Sequence, residues 1–209
     1  MKMRFMSWLC ISPFALVLLG ACSGDPGDAG LQADEASISQ AQAALSVTSN
    51  FRMHNLNKNQ GDFCLGVAAG TPNPGVPFIT WTCDGSTNQQ FQLNTPLVDG
   101  LFHLINGVIP NPPPPNIKSV CLDGWNPNNG TQSLLETCVQ NFSQGWKATA
   151  VGTEVATGFP CFQFSMDGSP NQVLSVLGGN VAKGSKVGMW TNFNNFSSHP
   201  DQVWCLQQP

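Results

Sequence analysis

The groups in this chain best suited to chemistry are amides, carboxylates and indoles gathered around one short motif, Gln-x-aromatic, that closes each of three similar stretches. Gln89-Gln90-Phe91 follows Asn88, Gln144-Gly145-Trp146 follows Ser143, and Gln202-Val203-Trp204 follows Asp201. Planar amides and carboxylates offer paired hydrogen-bonding atoms, and aromatic rings offer a flat apolar face. Such a set suits a ligand with hydroxyls on one side and C–H bonds on the other. It recognises by contact and breaks no bond. The patterns that bond breaking requires do not occur. No carboxylate pair recurs or stands in a recognisable motif of the kind glycoside hydrolysis uses. There is no GxSxG nucleophile elbow, Walker loop or dinucleotide fingerprint. His54, His103 and His199 are scattered and no CxxC is present, so neither a metal nor another cofactor is expected.

The motif closes a longer repeat. The copies run from Phe51 to Phe91, from Phe102 to Trp146 and from Phe162 to Trp204. Each opens on an aromatic–x–apolar start: Phe51-Arg52-Met53, Phe102-His103-Leu104 and Phe162-Gln163-Phe164. Each continues through a short apolar stretch, at 64–67, 120–124 and 173–176. The closing glutamines are 55 and 58 residues apart. A threefold repeat of this length predicts one supersecondary unit used three times around a shared core. Alternating short strands between Gly, Asn and Pro turns predict an all-β chain, and no stretch after residue 50 keeps a helical period. Phe91, Trp146 and Trp204 are expected in the core, with their glutamines satisfying backbone groups. The proline run over 109–116 is read as a stiff loop in the second repeat.

From Ser46 onward six basic residues face eight acidic ones, a net charge of −2, with no basic run. Nucleic-acid binding lacks its electrostatic footprint. Charged residues make up 10% of the chain, so its polarity comes from Asn, Gln, Ser, Thr and Gly. After Cys22 six cysteines remain, an even set that reads as disulfides in an exported protein. Six cysteines allow fifteen pairings, and sequence alone does not choose among them. The repeats favour one set. Cys64–Cys83 and Cys121–Cys138 occupy matching places in the first two copies, and Cys161–Cys205 are left to join the first and last strands of the third.

These repeats resemble the ricin B-type lectin family, whose units end in Gln-x-Trp and fold as a β-trefoil. The resemblance covers about residues 49–209, with repeats near 49–98, 99–158 and 159–209. It implies a β-trefoil of three pseudo-symmetric repeats that binds carbohydrate. It also implies where the binding groups lie. They are an Asp two residues after the first repeat cysteine, an aromatic two residues before the second, and the polar residue and glutamine of the closing motif. Carried onto this chain, the first repeat supplies Trp81, Asn88 and Gln89, with Gly66 in place of the Asp. The second supplies Asp123 and Gln144, with Glu136 in place of the aromatic and Ser143 before the glutamine. The third supplies Trp190, Asp201 and Gln202, with Ser175 in place of the early Asp. Trp125 lies near Asp123 in sequence and is a candidate second ring.

The N-terminus resembles a bacterial lipoprotein signal. Lys2 and Arg4 precede an apolar run over 5–19, too short to span a membrane comfortably, and Leu19-Gly20-Ala21-Cys22 follows. This implies a signal peptide over 1–21, a lipid on the Cys22 thiol and a place in the outer membrane or at the cell surface. Residues 22–48 lack aromatic residues and read as a flexible tether. The expectation is therefore a non-catalytic, membrane-anchored lectin whose partner is a glycan or polysaccharide. The competing reading is a trefoil that has lost its sugar sites and acts as a protein-binding or structural envelope subunit. An inhibitor of hydrolases or proteases on the same scaffold is a third.

Overall fold

Where the sequence alternates apolar and polar residues, the chain forms short antiparallel strands. The structure is a computed structural model that describes residues 31–32, 50–58, 61–71, 73–94, 101–107 and 118–208. The signal segment, most of the tether and the proline run lie outside the described residues. The strands are β1 (Leu31–Gln32), β2 (Phe51–Asn55), β3 (Phe63–Val67), β4 (Val76–Thr82), β5 (Gln90–Leu93), β6 (Leu104–Asn106) and β7 (Val120–Asp123). They continue as β8 (Thr131–Gln132), β9 (Leu134–Thr137), β10 (Trp146–Glu154), β11 (Pro160–Met166), β12 (Ser169–Val176), β13 (Val187–Thr191) and β14 (Trp204–Gln207). No α-helix occurs among the described residues, and short 3-10 turns at Thr87–Gln89 and Pro200–Gln202 lead into two of the closing strands. The all-β expectation holds.

The opening and closing strands of the copies pair into a ring. β2 pairs with β5, β5 with β6, β10 with β11, β11 with β14, and β14 with β2. An antiparallel bridge between Phe102 and Trp146 links the second copy's opening to β10 and closes the cycle. Closure leaves these strands without a free edge. The inner stretches form hairpins: β3 with β4, β7 with β9, and β12 with β13. β4 contacts β9, and β8 pairs with β13, so hairpins of different copies touch. β1 pairs with β10 at Glu154 and Thr153.

One apolar cluster fills the ring. Phe51, Phe91, Leu104, Trp146, Phe162, Phe164 and Trp204 belong to it, together with hairpin residues Leu65, Phe78, Leu122, Leu135, Leu174 and Met189. Burying side chains of this size contributes roughly 1.5–3 kcal/mol each. The two indole N–H groups are satisfied inside it. Trp146 Nε1 donates to the Leu122 carbonyl at 2.9 Å, and Trp204 Nε1 donates to the Leu174 carbonyl at 2.9 Å. Phe91 holds the matching place in the first copy with no donor to satisfy. Disulfides join Cys64 to Cys83, Cys121 to Cys138 and Cys161 to Cys205, the set the repeats favour.

Candidate binding sites

Strand register brings the expected site residues together in each hairpin. Cys64 faces Trp81, Cys121 faces Glu136 and Val173 faces Trp190. Two residues further along the same strand face stand Gly66, Asp123 and Ser175. Successive side chains on a strand alternate faces, so each of these positions shares a face with the ring or carboxyl two residues away.

The closing glutamines prove to be structural clamps in every copy. Gln89 Nε2 donates to the Thr82 carbonyl at 2.8 Å, and its Oε1 accepts from Asp84 N at 3.1 Å. Gln144 repeats this with the Thr137 carbonyl at 3.0 Å and Val139 N at 2.8 Å. Gln202 repeats it with the Thr191 carbonyl at 2.7 Å and Phe193 N at 3.3 Å. All three are buried, and each fixes the turn after a hairpin.

In the first copy Trp81 lies 38% exposed on the outer face of β4. The Lys183 ammonium, from the loop between β12 and β13, sits 4.1 Å from its ring centroid. Asn88 Nδ2 donates to the Val67 carbonyl at 3.1 Å. A Cβ on Gly66 would lie 3.2 Å from Gln89 Cγ and 3.6 Å from Asn88 Nδ2. An early Asp would therefore press on Gln89, which would have to give by a few tenths of an ångström.

In the second copy Asp123 is buried and held by neutral donors. Its Oδ2 accepts from Gln144 Nε2 at 3.0 Å, and its Oδ1 accepts from Trp125 N at 2.6 Å. The second bond closes a tight turn that puts Trp125 at φ 58°, where side chains other than Asn, Asp and Gly rarely sit. Trp125 is 62% exposed, and Gly124 N donates to the Ser143 carbonyl at 2.7 Å, next to Phe142, which is 74% exposed. Glu136 stays half-buried opposite Cys121.

The third copy exchanges the two polar positions of the second. Where the second has Asp123 and Ser143, the third has Ser175 and Asp201. Ser175 Oγ donates to Asp201 Oδ2 at 2.9 Å. The imidazole of His199 stands 3.8 Å from the other carboxylate oxygen and stacks on Phe193 with centroids 4.0 Å apart. Asp201 lies in the wall of an open cavity of about 610 Å³, shared with Asn180, Ser197, Ser198 and His199. Trp190 is half-buried, its Cζ3 3.6 Å from a Cβ built on Gly130.

Sequence reasoning treated Ser175 as the loss of an Asp. The structure shows it instead as the partner that orients Asp201. The exchange of Asp and Ser between the two repeats was the legible signal. His199, Phe193 and Lys183 were not anticipated, because loop residues carry no period. His54 lies unexpectedly close to a disulfide: its Nδ1 is 3.5 Å from Cys83 Sγ and 2.9 Å from Asp62 Oδ1. His54, Cys64 and Cys83 form the one tight group of potential metal ligands among the described residues, but both sulfurs are bonded to each other.

Solved structures share this architecture at low identity. A designed threefold-symmetric protein, ThreeFoil, is 18% identical with a TM-score of 0.59, over 77% of this chain and 99% of that one. A ricin B-like lectin from Macrolepiota procera, solved with lactose, is 14% identical with a TM-score of 0.53, over 78% of this chain and 98% of that one. An exo-β-1,3-galactanase from Clostridium thermocellum is 20% identical with a TM-score of 0.60, over 78% of this chain but 31% of its own. No curated protein sequence matches at a significant level. The ricin-type β-trefoil lectin domain model matches residues 51–204, and the chain belongs to that family.

Proposed function

We propose that the chain binds glycan without catalysis, through a trefoil of three pseudo-symmetric repeats of which the third is the principal site. The observation that carries this is Asp201. Ser175 orients its carboxylate, Asp201 lines an open polar cavity, and His199, which stacks on Phe193, stands 3.8 Å from its other oxygen. A fixed acceptor is what a sugar hydroxyl needs, and a hydrogen bond to a charged group is worth about 1.5–3 kcal/mol. Lectins of the same fold solved with lactose or GalNAc support a sugar as the ligand class. The N-terminal pattern ending at Cys22 supports export and lipid anchoring at the outer membrane or cell surface. Anchored copies would present weak sites side by side, where multivalency raises avidity. The test is retention of the purified chain on a set of monosaccharide-linked resins. Elution by the free sugar is expected, and passage through every resin contradicts the reading.

A second reading has its own observation. The exposed Trp125 and Phe142 flank the Gly124–Ser143 junction in the second copy, beside an Asp123 that accepts one protein hydrogen bond at each oxygen. An apolar pair of this kind suits a protein partner in the envelope. Passage through the resins combined with capture of a defined envelope protein, lost on Trp125→Ala, is its signature.

A further inference from the structure

The Lys183–Trp81 contact is built by the backbone. The loop between β12 and β13 is tied to β4 of the first copy through one buried residue. Thr80 Oγ1 donates to the Ala182 carbonyl at 2.6 Å, Thr80 N donates to the Ser185 carbonyl at 2.9 Å, and Gly184 N donates to the Thr80 carbonyl at 2.7 Å. Lys183 sits between these anchors, beside Trp81. An antiparallel bridge between Ile79 and Lys186 brings a second lysine to the same outward face, since Ile79 and Trp81 are two residues apart on one strand. Both lysines are exposed, and no carboxylate lies within 4.0 Å of either ammonium among the described residues. Asp84, the acidic residue nearest to Trp81 in sequence, accepts from Ser86 N and Ser86 Oγ. A domain with a net charge of −2 thus places one of its six basic side chains over an exposed indole and pairs a second with the same strand.

We infer that the first repeat selects an anionic sugar, with Trp81 as the platform and Lys183 as the counter-ion for a carboxylate on the pyranose. This rests on the lectin reading above and narrows its ligand class for one repeat. The selection comes from competition for the ring. A sugar that stacks on Trp81 displaces the ammonium from its cation–π position. A neutral sugar gives nothing back for that loss. A hexuronate stacks through its C–H face and accepts a charge-assisted hydrogen bond from the displaced ammonium, which the flexible lysine stem can still reach. Asn88 lies beside Gly66, which brings no carboxylate that would repel the ligand.

The experiment compares one oligosaccharide of hexuronic acid with its carboxyl-reduced neutral counterpart, binding to the full chain by calorimetry at low and high salt. The uronate should bind about five- to tenfold tighter at low salt, with the gap closing as salt screens an exposed pair. Lys183→Gln should bring the two affinities together, and Lys183→Arg should keep them apart. Trp81→Ala should weaken uronate binding with the fold unchanged by circular dichroism. Equal affinities in the natural chain would overturn the inference, as would a preference that survives Lys183→Gln. Tighter neutral binding by Lys183→Gln without any uronate preference would also overturn it, showing Lys183 to be a cover on the ring. Uronate binding lost with Asp201→Ala but untouched by Trp81→Ala would sink this inference and leave the lectin reading standing. Silence toward every glycan would sink both.

Discussion

Ser175 Oγ and Asp201 Oδ2 lie 2.9 Å apart, joining the hairpin of the third copy to the turn before its closing strand. The second copy makes the equivalent connection with its residues exchanged. There the hairpin carboxylate of Asp123 meets Gln144, while Gly124 N reaches the Ser143 carbonyl. The first copy connects the same two segments through Asn88 Nδ2 and the Val67 carbonyl. Hairpin and closing turn are tied together in all three, and in the third Asp201 also lines an open cavity.

The indole donors should matter to stability beyond ring volume. Trp204→Phe removes the donor to the Leu174 carbonyl in a buried place. An unpaired buried carbonyl plus the smaller ring should cost about 2–4 kcal/mol in urea unfolding. A loss below about 0.5 kcal/mol would show that the carbonyl finds another partner. The first copy avoids the issue by placing Phe91 there.

Gly188 should prove intolerant of even one methyl group. A Cβ there would lie 2.0 Å from the Thr131 carbonyl oxygen and 2.8 Å from Gln132 Cα. Both are backbone atoms of β8, which pairs with β13 across two copies. Gly188→Ala should therefore open this seam and lower stability by about 1–3 kcal/mol, as overpacking does. Thermal unfolding checks it, and an unchanged midpoint would show that β8 can part from β13 without loss.

His103 links stability to pH. Burial holds its imidazole below its ordinary value of 6.5, and its Nε2 lacks a hydrogen-bond partner among the described residues. The unfolded chain then binds the proton more readily than the folded one. Stability attributable to this group is present above pH 6.5 and is lost as pH falls through the depressed folded value. His103→Leu should flatten the stability profile below pH 6.5 relative to the natural chain. Parallel profiles for the two proteins between pH 5 and 8 would refute the assignment.

The fold was legible because its signals are periodic. The closing Gln-x-aromatic motifs and the alternating strand starts recur in all three copies and the cysteine pairs in the first two, and each recurrence reports a position in one shared core. The glutamine clamps were legible for the same reason. The sites were less so, because they depend on loops and on contacts between copies. Nothing in the sequence around Trp81 announces Lys183, which lies 102 residues away and is delivered by the buried Thr80. Nor does Asp123 reveal that Trp125 N donates to one of its oxygens and so makes it the anchor of a turn as well. Ser175 was readable only by comparing repeats, since a serine in place of an aspartate looks like loss until its partner is seen.

The most direct test of the central claim is a glycan array probed with the natural chain, displayed multivalently, beside Asp201→Ala and Ser175→Ala. The account predicts a defined glycan signal that falls about tenfold with Asp201→Ala, and by a smaller factor with Ser175→Ala, while Asp123→Asn leaves it largely in place. No signal from the folded, oxidised chain, or a signal indifferent to Asp201, would contradict it.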